Sequence, residues 1–360
     1  MVEPLKEIKT GGEFYSQKII NYLESRGVVV DLFTLKDINE IGKNKTFISS
    51  NIKLIYSLLL KSKTNKIIVQ DFYMHPWLFI FNWFARIFTD VKIVMFIQLF
   101  GYHFQRNGIL KFIDKLVSAI ALLPAHKAIV NSLTTANECQ RLGFRKKNIK
   151  VVYPGCDYAG INYVKKYRNN GVVHLLAVSN YTPRKGLHFL IQAIALVKQK
   201  YPEVYKQLNL EIAGDPDDIP SYAQRLNSLI TENLLSERVK LSGWKDRIEL
   251  KELFIRSDIF IFTGIEEAFG MVLAEAMQFG LPIIAFNSGS ASELIEHNRN
   301  GIFVPPENID LLADAICKLI LDSELRIKFG QTSREHSQRF VQSWEQTGEQ
   351  FYQAITEMQG

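Results

Sequence analysis

Short apolar runs of five to eight residues recur along this chain, each followed by a longer stretch in which apolar positions return every three or four residues. One series covers 28–33, 66–70, 91–97, 127–131 and 149–153. A second covers 172–179, 208–214, 238–243, 258–262 and 282–286. Most of these runs are apolar throughout, the pattern of strands buried on both faces. The stretches between them, such as FLIQAIALVKQKY at 189–201, have helical spacing. Strands alternating with helices predict an α/β protein with parallel sheets and crossover helices on both faces. The polar segment DYAGINYVKKYRNNG, 157–171, separates the two series. It predicts two Rossmann-like domains, 1–157 and 158–340, facing a cleft between them, followed by a helical segment at 341–360. Ligands of such sheets bind at the carboxyl ends of the strands.

Composition agrees with this picture and narrows it. A chain of 360 residues, 47% of them hydrophobic, can bury two ordinary cores. Cys139, Cys156 and Cys317 are far apart, with no CxxC pair or Cys/His cluster, so neither a disulfide framework nor a zinc site is predicted. A reducing cytoplasm fits this usage. The net charge of +6 is unevenly spread: residues 1–150 hold 22 Lys and Arg against 11 Asp and Glu, the remainder 21 against 26. A basic half suits a membrane surface, a nucleic acid or an acidic substrate, although a lysine-rich soluble surface explains it as well. No zinc finger or other nucleic-acid module is present, so no nucleic-acid partner is expected. The first residues, MVEPLKEIKTGG, lack the apolar core of a signal peptide. The apolar stretch 72–102 is broken by His75, Pro76, Asn82, Arg86, Asp90 and Lys92, so no membrane span is expected.

The stretch ILKFIDKLVSAIALL, 109–123, puts Ile109, Phe112, Ile113, Leu116, Val117 and Ile120 on one helical face, with Lys111 and Lys115 on the other. Such a helix can pack on its own domain. It can also lie on anionic lipid, giving peripheral contact with the inner membrane face.

The densest chemistry is in FTGIEEAFGMVLAEAMQFGLPIIAF, 262–286. A turn at Gly264 follows a strand, and a helix is predicted from about Phe269–Gly270 to Phe279, stopped by Gly280 before Leu281–Pro282. Free N–H groups and the positive dipole end make such a helix start an anion site, and Gly270 leaves its backbone open to a ligand. Glu267 stands just before the helix and Glu275 about one and a half turns inside it. A carboxylate at that depth needs hydrogen-bond donors, which sugar hydroxyls would supply. An ordinary helix-start glutamate with a solvated second one fits the spacing equally well.

In LLAVSNYTPRKGLHFLIQAI, 175–194, a buried strand, a loop and a helix succeed one another. Arg184 and Lys185 stand at the helix start, where cations oppose the dipole unless an anion is bound. A pyrophosphate would resolve that conflict; a basic surface pair is the plainer alternative.

EAFGMVLAE followed by AMQFGLPIIA resembles the E-x7-E signature of retaining, family-4 type glycosyltransferases with the GT-B fold. The resemblance covers most of residues 127–345. It implies a nucleoside diphosphate sugar as donor, a hydroxyl of a glycan or lipid-linked acceptor, and no cofactor or metal. Glu275 would bind the donor ribose and Glu267 the donor sugar, while Phe269, Gly270, Met271 and Val272 supply backbone contacts. Lys185 matches the family's diphosphate-gripping Lys. The family's Arg five positions earlier is Asn180 here, and Arg184 could supply the missing cation. Gly214 and Gly243–Trp244, at strand ends, would line the nucleotide pocket. Residues 288–316 follow the family's order, with Gly301 and Pro305 in a loop.

In the first half the resemblance implies a glycine-rich loop at Gly11 and Gly12 closing over the phosphate, although the family's apolar first strand is replaced by the polar MVEPLKEIK. Gln98 stands where the family often has a His, which makes His103 the catalytic candidate and His75 a second one. Ser132 would cap a helix. The last segment would cross back to the N-terminal domain. Asn180, Gln98 and the polar N-terminus favour a second reading, a catalytically weak scaffold beside an active partner.

Overall fold

A computed structural model of the chain describes residues 11–28, 67–71, 79–88, 90–100, 108–165 and 171–357. The chain divides into two compact units, residues 1–155 with 344–360 and residues 156–343. The elements of the first unit begin with α1 (Gly11–Ser25), β1 (Ile67–Asp71), α2 (Phe79–Phe88) and β2 (Lys92–Ile97). They continue with α3 (Gly108–Leu122), β3 (Lys127–Val130), α4 (Leu133–Arg141) and β4 (Ile149–Val151). The second unit opens with β5 (Val173–Val178), α5 (Leu187–Lys200), β6 (Leu208–Ala213), α6 (Pro220–Glu232), β7 (Val239–Gly243) and α7 (Arg247–Arg256). After these come β8 (Ile259–Phe262), α8 (Met271–Gln278), β9 (Ile283–Phe286), β10 (Gly301–Val304), α9 (Ile309–Leu321) and α10 (Ser323–Ser337). The last helix, α11 (Trp344–Thr356), belongs to the first unit.

In the first unit four parallel strands lie in the order β1-β2-β3-β4. Strand side chains alternate between faces, so β2 feeds two cores. Ile93, Met95 and Ile97 pack with Ala121, Leu122 and Cys139. Val94 and Phe96 pack with Tyr15 and Ile19 of α1 and Phe351 of α11. The α1–α11 contact depends on Gly348, where a Cβ would lie 2.2 Å from the Tyr22 ring. Tyr22 also donates its hydroxyl to Glu349 at 2.7 Å.

Of three expectations for this unit, one changes, one lies outside the described residues and one holds. Gly11 and Gly12 form the first turn of α1 rather than a loop. Gly12 there packs against a residue distant in the chain: a Cβ on it would lie 2.8 Å from Oε1 of Gln98. The run 28–33 lies outside the described residues beyond Val28. Ser132 does cap α4, its hydroxyl accepting from the Thr135 N–H at 3.1 Å.

The second unit has a six-stranded parallel sheet, β7-β6-β5-β8-β9-β10. Counted from its own first strand, this is the doubly wound order 3-2-1-4-5-6. Its core joins Leu175 of β5, Ile212 of β6 and Ile284 of β9 to Leu190 and Ile194 of α5 and Ile316 of α9. Gly301, expected in a loop, instead begins β10 and pairs with Ile283. A Cβ there would stand 2.4 Å from the Ile283 carbonyl oxygen, so the strand pairing itself requires glycine.

Candidate active site

In a doubly wound sheet the ligand crevice lies at the carboxyl ends of the strands where their order reverses. In the second unit those strands are β5 and β8, paired through Leu175–Ile259 and Leu176–Phe260. The loops that follow them are 179–186 and 263–270. Three features staple these loops together. The Thr263 hydroxyl donates to the Lys185 carbonyl at 2.9 Å. The Ile265 N–H donates to the Arg184 carbonyl at 2.9 Å. Gly186, at φ +64°, comes so close that a Cβ would lie 2.2 Å from the Thr263 carbonyl oxygen.

This stapling sets Lys185 against Glu267, Nζ to Oε2 at 2.6 Å, with side chains 14% and 15% exposed. Burial alone would raise the Glu267 pKa. The Lys185 charge and hydrogen bond, then Arg184 and the Ala268 N–H, together hold it below the usual carboxylate range. The Glu267 carbonyl in turn accepts from the Ser290 N–H at 3.2 Å. The crossing chain at Gly289 leaves no room for a side chain, since a Cβ would sit 2.2 Å from the Glu267 carbonyl oxygen. A carboxylate, two cations and a glycine-lined turn therefore converge at the switch point.

Helix α8 starts at Met271, after Gly270 in the left-handed region at φ +80° and with no side-chain cap. Phe269 and Gly270 are buried, and Met271 and Val272 half-buried. Glu275 is buried one turn further on, and Nη1 of Arg247 lies 2.8 Å from its Oε1. Arg247 also reaches Asp157, Nε to Oδ2 at 2.7 Å. Burial pushes the Glu275 pKa up to about 7 despite the opposing pull of Arg247. The sequence reading missed Arg247 and Asp157. A signal for the first was present in KDRIE: Asp246 and Glu249 form a capping box that fixes Arg247 as the first residue of α7.

The remaining candidates are more dispersed. Asn180, after β5, donates to Asp218 at 3.4 Å. Gly214 follows β6 beside the end of β5, where a Cβ would collide with the Ser179 carbonyl oxygen at 1.8 Å. Trp244 follows β7 at the sheet edge and is 65% exposed. Gly11 and Gly12 belong to the first unit, as does Gln98, whose amide donates to the Gly12 carbonyl at 3.2 Å and to the Ser16 hydroxyl at 3.1 Å. His103 and His75 lie outside the described residues. Among the described residues, no three His, Cys, Asp or Glu side chains gather as metal ligands.

A cavity of about 600 Å³ lies elsewhere in the second unit, lined by His174, Asn209, Glu211 and Arg238. It opens at the amino ends of β5 and β6, the opposite end of the sheet from the two glutamates.

Residues 163–336 match the sequence model of the family described as glycosyl transferases group 1. A GDP-mannose-dependent alpha-(1-6)-phosphatidylinositol monomannoside mannosyltransferase of Mycobacterium tuberculosis is 28% identical over 178 residues, 48% of this chain and 44% of that protein. The match thus spans less than half of that relative's length. Sucrose-phosphate synthase of Thermosynechococcus elongatus superposes with a TM-score of 0.73 at 19% identity, covering 97% of this chain and 94% of that one. Anabaena HepE in complex with UDP-glucose gives 0.68 at 23% identity, covering 94% and 88%. Identities this low speak to the fold alone, and the fold is GT-B, as the sequence led us to expect. The family match falls on the unit that holds the switch-point site, and over residues 163–336 this chain is similar to the glycosyl transferases group 1 family.

Proposed function

We propose that the chain is a retaining glycosyltransferase. It would move a sugar from a nucleoside diphosphate sugar to a hydroxyl of a glycan or lipid-linked acceptor during glycan, lipopolysaccharide or exopolysaccharide assembly. The observation that carries this reading is the Lys185–Glu267 pair at the carboxyl ends of β5 and β8. In the proposed complex the diphosphate lies against Lys185, Arg184 and the N–H groups that follow Gly270. As the bond from the sugar to the diphosphate breaks, its electron pair passes to a phosphate oxygen. Fixed cations and N–H groups stabilise that developing charge, in the place a metal ion would otherwise take. Glu267 orients the sugar, and Glu275 accepts hydrogen bonds from the ribose hydroxyls. The acceptor oxygen forms the new bond, and its proton ends on the released diphosphate.

Retention of configuration rests on the E-x7-E resemblance. The donor class has the same support, together with relatives whose names carry GDP-mannose and UDP-glucose. The buried, unbridged Cys139, Cys156 and Cys317 suit a reducing cytoplasm.

Isothermal titration with UDP-, GDP- and ADP-sugars, paired with a hydrolysis assay, tests the proposal. One donor class is expected to bind, and Glu275→Ala to abolish that binding. Undiminished donor affinity in that variant would refute the assignment. A second reading, a scaffold without catalysis, is favoured by Asn180, which faces Asp218 and brings no charge to the phosphate. A pure scaffold should bind none of the donors.

A further inference from the structure

Helix α3 is turned the wrong way for a helix that packs on its own sheet. Its buried positions are Ser118, Ala121 and Leu122. Phe112, Ile113, Leu116 and Ile120 are 68%, 46%, 52% and 38% exposed. Lys111 and Asp114, which a self-packing helix would give to water, are half-buried. Neighbouring α2 contacts α3 and adds Ile87 and Phe88, 63% and 66% exposed. Large apolar side chains exposed across two adjacent helices exceed the scattered exposure normal for a water-facing surface.

Cations border this face. Arg86 and Lys92 are exposed at the end of α2 and the start of β2, and Lys115 of α3 is exposed as well. Arg86 and Lys92 are close enough to His126 to add to the effect of its burial in holding its pKa at about 4. The acidic residues of the same segments are Asp90 and Asp114.

We propose that the α2–α3 face docks on an anionic lipid surface, its apolar side chains in the headgroup–acyl boundary and its basic rim against lipid phosphates. Apolar residues along one side with flanking Lys and Arg are the composition of a helix lying in the membrane plane. At 15 residues, α3 is about 22 Å long, too short to cross a hydrocarbon core of about 30 Å. No helix among the described residues is long and apolar enough to cross a membrane. A second copy related by a two-fold axis could cover the apolar face, but it would set Arg86 and Lys92 against a like-charged rim, whereas lipid phosphates neutralise it. All residues of this face belong to the first unit, so the proposal stands apart from the donor site.

Co-sedimentation of the full chain with vesicles of phosphatidylcholine, with and without phosphatidylglycerol, tests it. At low salt the chain is expected to pellet with the anionic vesicles and to stay in the supernatant with neutral ones. Phe112→Glu is expected to lower the partition coefficient about ten- to hundredfold, and Lys92→Gln about fivefold. Both side chains are exposed, so circular dichroism and donor binding should not change. Equal partition of the wild type onto both vesicle types would overturn the proposal, as would equal partition of Phe112→Glu and wild type onto anionic ones. So would a dimer that Phe112→Glu converts to monomer while no vesicle binding is seen, which would assign the face to a second copy.

Discussion

Helices α5 and α3 are 14 and 15 residues long, and both carry an apolar stripe. The fold uses them in opposite ways. In the second unit, Leu190, Ile191, Ile194 and Val197 of α5 are fully buried against the sheet and α9. In the first unit, α3 covers its core with Ser118, Ala121 and Leu122, and its stripe faces outward. The parallel sheet around β5 is apolar on both faces and needs a helix such as α5 to exclude water. On its α3 side, the sheet around β2 is covered through Ala121 and Leu122, and the larger side chains of α3 face outward. An amphipathic pattern thus declares an apolar face without declaring what covers it.

The sharpest way to break this contrast is at the site that the well-packed unit supports. Lys185→Ala removes the cation held on Glu267 and is expected to lower kcat/KM about 10²- to 10³-fold. It would be measured with whichever donor binds, and a loss below about tenfold would move the diphosphate to another cation. Next in size is Leu190→Ala in α5, expected to cost about 2–5 kcal/mol in urea unfolding because it opens a cavity in a closed core.

A smaller effect concerns Glu275, whose pKa lies at about 7 in the folded unit against about 4.3 in an unfolded chain. Between those values the folded state holds the extra proton, so this group makes stability fall as pH rises from about 4 to about 7. Donor binding should run the opposite way, because ribose hydroxyls donate to the ionised carboxylate. Affinity is expected to rise about tenfold per pH unit on approach to the midpoint and then level off. Arg247→Met should move that midpoint upward, since the guanidinium favours the charged form. Titration calorimetry across the range checks both, and a flat profile would remove Glu275 from the ribose site.

The smallest expected change completes the comparison. Leu116→Ala in α3 should alter unfolding stability by no more than about 0.5 kcal/mol, because the side chain is already 52% exposed. A cost equal to that of Leu190→Ala would mean that the α3 face is covered in solution.

Much of this protein could be read from local pattern. Strands such as 92–97 and 283–286 fall within the apolar runs 91–97 and 282–286, because strands buried on both faces leave uninterrupted apolar sequence. Gly280 was legible as a helix stop, and it follows α8 in the left-handed region at φ +68°. Glycine misled the reading where its surroundings were tertiary: Gly301 begins a strand against the Ile283 carbonyl, and Gly12 lies in a helix against the Gln98 side chain.

Side-chain pairings lay beyond local pattern. Lys185 meets Glu267, 82 positions away, because β5 and β8 are neighbours in the sheet. Arg247 meets Glu275, 28 positions away, because α7 and α8 flank the same strand, β8. Hydrophobic periodicity follows from the geometry of a single helix or strand, so the sequence alone determines the elements and their apolar faces. Strand order, the partner of each buried charge and the outward turn of α3 are decided only when distant elements compete for the same space, and that competition exists only in the folded chain.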